Sequence, residues 1–500
     1  MARVSDLFRA ITDTVRDPFT ADITGLPDAT ATAVIDLRNG DTYPIRAGIV
    51  RKTLGDATVR MLAYNGSIPG PTLRVPQGSE VTIDVANETD VPTTVHWHGL
   101  RLDNRFDGVP HGVHRGMQAP IPVGGSFAYR LRFPDPGIYW YHPHVREDYT
   151  QELGLYGNIL VTPSDPDYWA PVDRELVVVL DDILLKGTKV APFSRTRSNR
   201  TAMGRYGNLM LLNGEANATL QARQGEVIRL YLTNTANVRP FNLRIPGAQL
   251  KLVGGDGGRI EEETFVDEVL IAPSERAVVD VLFETAGILP IEHRGPELTR
   301  PLGTIAVTES AERSPFVEAF STRRRNGEFE AERARLADDL ARDPDKHLSL
   351  VAVMPGMRNH GGGHGEHVDI EWEDTMQLHN RMTTPWSMFW KLVDPETGAQ
   401  NQEIRWSFRT GDRIKVRIAN DPHSDHPMQH PFHIHGERFL VIARDGTPAD
   451  NLVWKDSVLI RTGETVDLLV DMSNPGTWMA HCHIAEHLEG GMMLSFQVRE

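Results

Sequence analysis

The chain ends in PGTWMAHCHIAEHLEGGMMLSFQVRE, and its only cysteine, Cys482, stands between His481 and His483. Successive side chains of a β-strand point to opposite faces, so the two imidazoles share one face and the thiol takes the other. One strand can therefore serve two metal sites. His487 and Met492 follow, and with His430 they complete the thiolate, imidazole and thioether set of a copper electron-transfer centre. Met493 is the rival thioether, and alternation sends it the other way.

Histidines also recur at alternate positions: His96 and His98 in HWHG, His142 and His144 in HPH, His433 and His435 in HPFHIHG, His481 and His483 in HCH. Each pair on a strand presents both imidazoles to one face, and the four pairs together suit three metal ions. His430 lies an odd number of residues from His433, so parity places it with Cys482 on the opposite face. A lone His-x-His is often only a surface or structural pair; four of them point to metal. Structural zinc favours cysteine clusters, which one cysteine cannot supply.

The elements that must position these residues come in three copies. LRVPQGSEVTIDVAN, LQARQGEVIRLYLTN and WSFRTGDRIKVRIAN each set a glycine turn between alternating strands, with an asparagine at the same distance beyond the glycine: Asn87, Asn234 and Asn420. Each copy closes on a strand, a glycine turn and a second strand. That second strand carries His142 in the first copy and His481 in the third, but Glu292 in the middle one. Short strands with Gly and Pro turns predict an all-β protein of three Greek-key β-sandwiches with short helices in the connectors. Expected boundaries are an N-terminal extension over 1–44, sandwiches over 45–163, 164–309 and 348–500, and a helical connector over 310–347. The middle copy keeps the fold without the metal ligands.

Composition excludes several functions. With 52 Lys and Arg against 68 Asp and Glu the net charge is −16, which repels nucleic acid and anionic membranes. No apolar run approaches a membrane span, and the first residues contain no secretory signal. The chain as written is expected in the cytoplasm, or in the periplasm or outside the cell if an export signal has been removed.

The motifs HWHG, HPH, HPFHIH and HCHIAEHLEGGM resemble those of three-domain multicopper oxidases of the laccase type, and the likeness covers nearly the whole chain. The resemblance implies cupredoxin-like domains and four copper ions. His430, Cys482, His487 and Met492 would hold the type 1 ion, Met492 having the spacing from His487 found in such loops. His96 and His433 would hold type 2, and His98, His142, His144, His435, His481 and His483 the type 3 pair. It further implies one-electron oxidation of a reductant at a type 1 imidazole, His487 or His430, near the surface, with Cys482 starting the electron path and dioxygen reduced to water. Asp107 matches the family's acid near the type 2 site, while Asp-Gly is equally a turn signal; Asp103 is the weaker candidate. Where bacterial laccase-like sequences carry a glutamate after the final histidine, this chain has Leu488, and Glu489 or Glu486 is the available substitute.

Phenols and aromatic amines are the first expected reductants, and Cu(I) or Fe(II) the alternative. Met354, Met357, His360, His364, His367, Met376, His379, Met382 and Met388 precede the third core. They fit copper recruitment, or a Gly-rich insertion with incidental His and Met, which is the reading adopted. A non-catalytic scaffold is the remote alternative, and the complete ligand set argues against it.

Overall fold

The structure is a computed structural model that describes residues 19–111, 118–355 and 369–500. Three β-sandwiches follow one another, each of two sheets facing across an apolar core. The first pairs a five-stranded with a four-stranded sheet, and the second and third each pair a six-stranded with a five-stranded sheet. Among the described residues no helix is long and apolar enough to cross a membrane.

The repeated glycines and asparagines have a common physical role. Gly78, Gly225 and Gly411 all have positive φ, the left-handed turn that a side chain resists. At the far end of each following strand the buried asparagine amide donates across two loops. Asn87 Nδ2 reaches Val91 O and Ile121 O, Asn234 Nδ2 reaches Arg239 O and Ile271 O, both at 2.8 Å, and Asn420 Nδ2 reaches Met428 O at 2.7 Å. Each stitches the open end of a sandwich with bonds that loop backbone could not otherwise make in a dry interior.

The first sandwich begins earlier than the expected boundary at 45. Val34–Asp36 pairs in parallel with Thr72–Pro76, and Thr42–Leu54 is the spine of the four-stranded sheet, so residues 34–44 belong to the sandwich and not to an extension. The pairing is between segments distant in sequence, which local alternation does not reveal. In the connector, helices Val317–Ser321 and Glu330–Ala341 lie on the second and third sandwiches through Phe320, Phe329 and Leu336. Arg323 and Arg325 of the connector both pair with Glu262 of the second sandwich. Met357, His360, His364 and His367 fall outside the described residues, whereas Met354 and Met388 are packed in the third core.

Four short strands position the histidine pairs: β1 (His96–His98) and β2 (Gly137–His142) in the first sandwich, β3 (His430–Ile434) and β4 (Gly476–Cys482) in the third, with His144, His435 and His483 just past the ends of β2, β3 and β4. β1 and β2 are antiparallel neighbours with His96 opposite His142, and β3 and β4 are antiparallel with His433 opposite His481 and Phe432 opposite Cys482. Cross-strand partners share a face, so register alone gathers imidazoles at the junction of the first and third sandwiches and leaves Cys482 facing the third core.

Asn234→Ala removes a buried amide from the sandwich that lacks metal ligands and strands two carbonyls. We expect a loss of about 2 kcal/mol and a fall in Tm of about 4–8 °C, read by calorimetry on metal-free protein. An unchanged Tm would contradict the stitching role.

Candidate metal centre

On the core face of β4 three donor atoms form a near-equilateral triangle. Cys482 Sγ lies 3.5 Å from His430 Nδ1 and 3.6 Å from His487 Nδ1, and the two nitrogens are 3.3 Å apart. The centre of a triangle with sides near 3.5 Å is about 2.0 Å from each corner, a metal–nitrogen bond length. Burial pushes the Cys482 thiol above its ordinary pKa, so the thiolate persists here only against a cation. His487 comes from helix α2 (Ala485–Glu489), which turns the chain back so that Met492 joins the core around Cys482. Met493 sits in a separate cluster with Val109, Met479 and Leu488.

On the other face eight buried imidazoles converge. By distance they form overlapping groups, His96, His98 and His142 being one and His96, His433 and His435 another, each with donor atoms within 4.8 Å of one another. His144, His435 and His481 bring their donor atoms within 4.8 Å of one another. His98, His142 and His483 form a further group, with ring centroids 5.0–5.7 Å apart. His96 and His433 are 5.7 Å apart and bridge these groups, His433 stacking on His98 at 3.7 Å and His96 lying 4.0 Å from His435.

Lone pairs decide what these groups can hold. His435 Nδ1 is 3.0 Å from Asp107 Oδ2 and His481 Nδ1 is 2.9 Å from Cys482 O, so each Nδ1–H donates and each Nε2 keeps a lone pair. Those two Nε2 atoms face each other at 3.0 Å. Two lone pairs at that distance repel unless a cation lies between them. His142 places its Nδ1 on Pro143 O, so its Nε2 keeps a lone pair, which lies 3.3 Å from His483 Nε2. Nitrogens His96 Nε2, His98 Nδ1 and His433 Nε2 are buried with no hydrogen-bond partner. Burial, reinforced by neighbouring imidazoles, drives the pKa of His98, His142, His433, His435 and His483 well below the usual value and that of His144 and His481 to about 3, so all are neutral ligands at neutral pH. The donor set fits copper, which takes imidazole and thiolate together.

Surrounding carboxylates fix the rings. Asp107 occupies a turn and also lies against two of the imidazoles, so its position suits both readings that its sequence allowed. It closes the short helix Asn104–Phe106 before Gly108, accepts from His435 Nδ1 through Oδ2, and lies with Oδ1 3.2 Å from His96 Nδ1. Asp103 is instead at the surface, paired with Arg105. Of the two substitutes opposite Leu488, Glu486 is buried and receives Asn237 Nδ2 at 2.7 Å, its pKa raised to about 8 chiefly by burial; Glu489 is half-buried beside Asp148 and Arg146. A residue absent from the expected set reaches the cluster directly. Glu147, on helix α1 (Glu147–Thr150), sets Oε1 2.7 Å from His144 Nδ1, and burial raises its pKa to about 7. Its signal was present as an acid one helical turn after a ligand histidine.

One expectation fails. Neither His487 nor His430 is near the surface: they are 0% and 1% exposed. His487 is stacked on Trp390 at 3.9 Å, and its Nε2 faces Ala202 O at 3.3 Å. The segment 199–204 is in turn held under residues 374–390, with Ala202 N donating to Thr383 Oγ1 and Met203 N to Asn380 Oδ1. The cover comes from segments far from α2 in sequence.

Comparison with known proteins agrees with this architecture. Sequence models of the multicopper oxidase family match residues 49–166, 167–287 and 369–500, and the chain belongs to that family. It is 28% identical to Multicopper oxidase MmcO of Mycobacterium tuberculosis over 88% of this chain and 84% of that protein. It is 25% identical to Copper resistance protein A of Escherichia coli, over 90% and 92%. A multicopper oxidase from Campylobacter jejuni described as a metallo-oxidase has the same fold, with a TM-score of 0.71 at 22% identity over 98% of this chain and all of that one. Copper is the family's cofactor.

Glu147→Ala should free the His144 ring and weaken copper binding by about 10–100-fold, measured as copper retained against a chelator. Glu147→Gln keeps an acceptor oxygen and should retain more. Equal retention in all three proteins would contradict the contact's role.

Proposed function

We propose that this chain is an oxidase with four copper ions. Type 1 is held by His430, Cys482, His487 and Met492, type 2 by His96 and His433, and the type 3 pair by His98, His142 and His483 with His144, His435 and His481. Copper bound there supplies one-electron redox chemistry on the Cys482 side and four-electron reduction of dioxygen to two waters on the other. The observation that carries the reading is the single strand β4, with a triangle of donors on one face and grouped imidazoles on the other. Cys482 is covalently continuous with His481 and His483, which makes β4 the shortest link between the sites. Asp107 takes the ring protons of both histidines, His96 Nδ1 donating to its backbone O at 2.8 Å and His435 Nδ1 to Oδ2 at 3.0 Å, which leaves Oδ1 as the atom through which the carboxyl can relay a proton to the cluster.

The covered His487 bears on the reductant. An aromatic ring cannot touch its edge, which weakens the case for direct phenol contact. Within the cover, Sδ of the buried Met203 lies 3.2 Å from His426 Nε2, and burial lowers the His426 pKa to about 4, leaving a neutral imidazole beside a thioether. Met203 is bonded to the Ala202 carbonyl that faces His487. That soft pair favours Cu(I) as substrate over the harder Fe(II). The copper-resistance and metallo-oxidase relatives are in keeping with it. A second reading keeps phenols and aromatic amines, favoured by exposed Leu378, Met382, Trp386 and Phe389 on the same cover.

Comparing kcat/KM of the copper-loaded protein for Cu(I), Fe(II) and a methoxyphenol tests this choice. We expect Cu(I) to be highest, and Met203→Leu with His426→Ala to lower it at least about tenfold while phenol oxidation changes little. A higher value for the phenol, with no effect of the pair on Cu(I), would establish the second reading.

Cys482→Ser should abolish the intense blue absorption and all oxidase activity, because a hydroxyl cannot replace the thiolate, while circular dichroism stays that of a folded sandwich. A blue variant would contradict the type 1 assignment.

A further inference from the structure

The middle sandwich supplies no copper ligand, yet one of its side chains reaches the metal centre. Arg276 opens the strand Arg276–Leu282 and is 2% exposed at the meeting point of all three sandwiches. Its Nε donates to Ile138 O on β2 of the first sandwich at 3.0 Å, and its Nη1 donates to Ser274 O of its own at 3.0 Å. The guanidinium grips Asp456 of the third sandwich as a two-pronged fork, Nη1 to Oδ1 at 2.6 Å and Nη2 to Oδ2. Its backbone N–H donates to Asp256 Oδ1 at 2.7 Å, and Lys455 lies against Asp256 and Glu275, so the buried charges are compensated.

Asp456 faces two of the histidines directly. Its Oδ1 is 3.0 Å from His98 Nε2, and its backbone carbonyl is 2.8 Å from His433 Nδ1. These contacts select opposite tautomers. His98 carries its proton on Nε2 and turns Nδ1 to the cluster, while His433 carries its proton on Nδ1 and turns Nε2 there; Nδ1 and Nε2 are the atoms left buried without partners. Space is reserved for the fork as well. A Cβ on Gly99, the glycine of HWHG, would strike Asp456 Oδ2 and Arg276 Nη2, and Gly99 has φ +84°.

We propose that Arg276 is a positioning residue for the copper cluster: it locks Asp456, and through Asp456 the rotation and tautomer of His98 from the first sandwich and His433 from the third. The middle sandwich thereby sets the geometry of a site to which it gives no ligand. A planar guanidinium is required, because it satisfies both carboxylate oxygens of Asp456 and the Ile138 carbonyl of the first sandwich at once, whereas a lysine ammonium is a single point charge. The inference rests on the proposed assignment of His98 and His433 as ligands.

The test uses full-length protein loaded with copper: wild type, Arg276→Lys and Arg276→Met. Copper per chain, the electron paramagnetic resonance signal of type 2 copper and the blue absorption are read separately. Wild type should bind four copper ions with both signals. Arg276→Lys keeps the charge and the fold; it should leave the blue absorption intact, alter the type 2 signal and weaken retention of cluster copper by about 10-fold or more. Arg276→Met should lose the type 2 signal. A purely structural arginine would lower stability in both variants without moving the type 2 spectrum, and an unchanged type 2 signal in Arg276→Lys with wild-type copper retention overturns the proposal. Failure of the assignment itself looks different, since wild type would then lack the four ions.

Discussion

Ten buried histidines and one buried thiol are arranged so that lone pairs oppose one another, and the rest of the structure serves that unfavourable arrangement. His435 and His481 turn bare nitrogens towards each other at 3.0 Å, and the ring protons that would relieve the repulsion are already given to Asp107 and to a backbone carbonyl. Cys482 lies in a cavity that opposes its ionisation. Cations resolve both conflicts at once. The surrounding sandwiches hold the ligands in place before metal arrives, through strand register, through carboxylates behind the rings and through a junction where three domains meet. Preorganisation of this kind is what makes a metal site specific.

Much of this was legible in the sequence because it depends on local rules. Alternation along a strand separates Cys482 from His481 and His483 without any knowledge of the fold, and the odd spacing from His430 to His433 repeats the separation on β3. The glycine and asparagine of each repeat were visible as a pattern; their reason, a left-handed turn and a buried amide tying two loops together, appears only in three dimensions. Alternation separates Met492 from Met493, and the preference for Met492 came from its spacing after His487 in the resembling loops.

What the sequence did not reveal depends on segments that meet from afar. The cover on His487 is made by residues 199–204 and 374–390, so burial of that imidazole could not be read from the loop that carries it. The early start of the first sandwich rests on a parallel pairing across a long separation. Glu147 had a readable sign, an acid one turn after His144, yet the motif to which attention was drawn lay after His487, where Leu488 stands. Arg276 had none, because its role exists only through Asp456. The middle sandwich illustrates the general point: it has Glu292 where its sister copies have histidines, and it contributes by contact and not by ligation.

Copper-edge anomalous diffraction from crystals of the copper-loaded protein tests the central claim most directly. The account predicts four copper peaks: one within bonding distance of Cys482 Sγ, His430 Nδ1 and His487 Nδ1, and three on the opposite face of β4 among the grouped imidazoles. A peak on the Cys482 face alone, or copper bound in the middle sandwich with the imidazole groups empty, would contradict it.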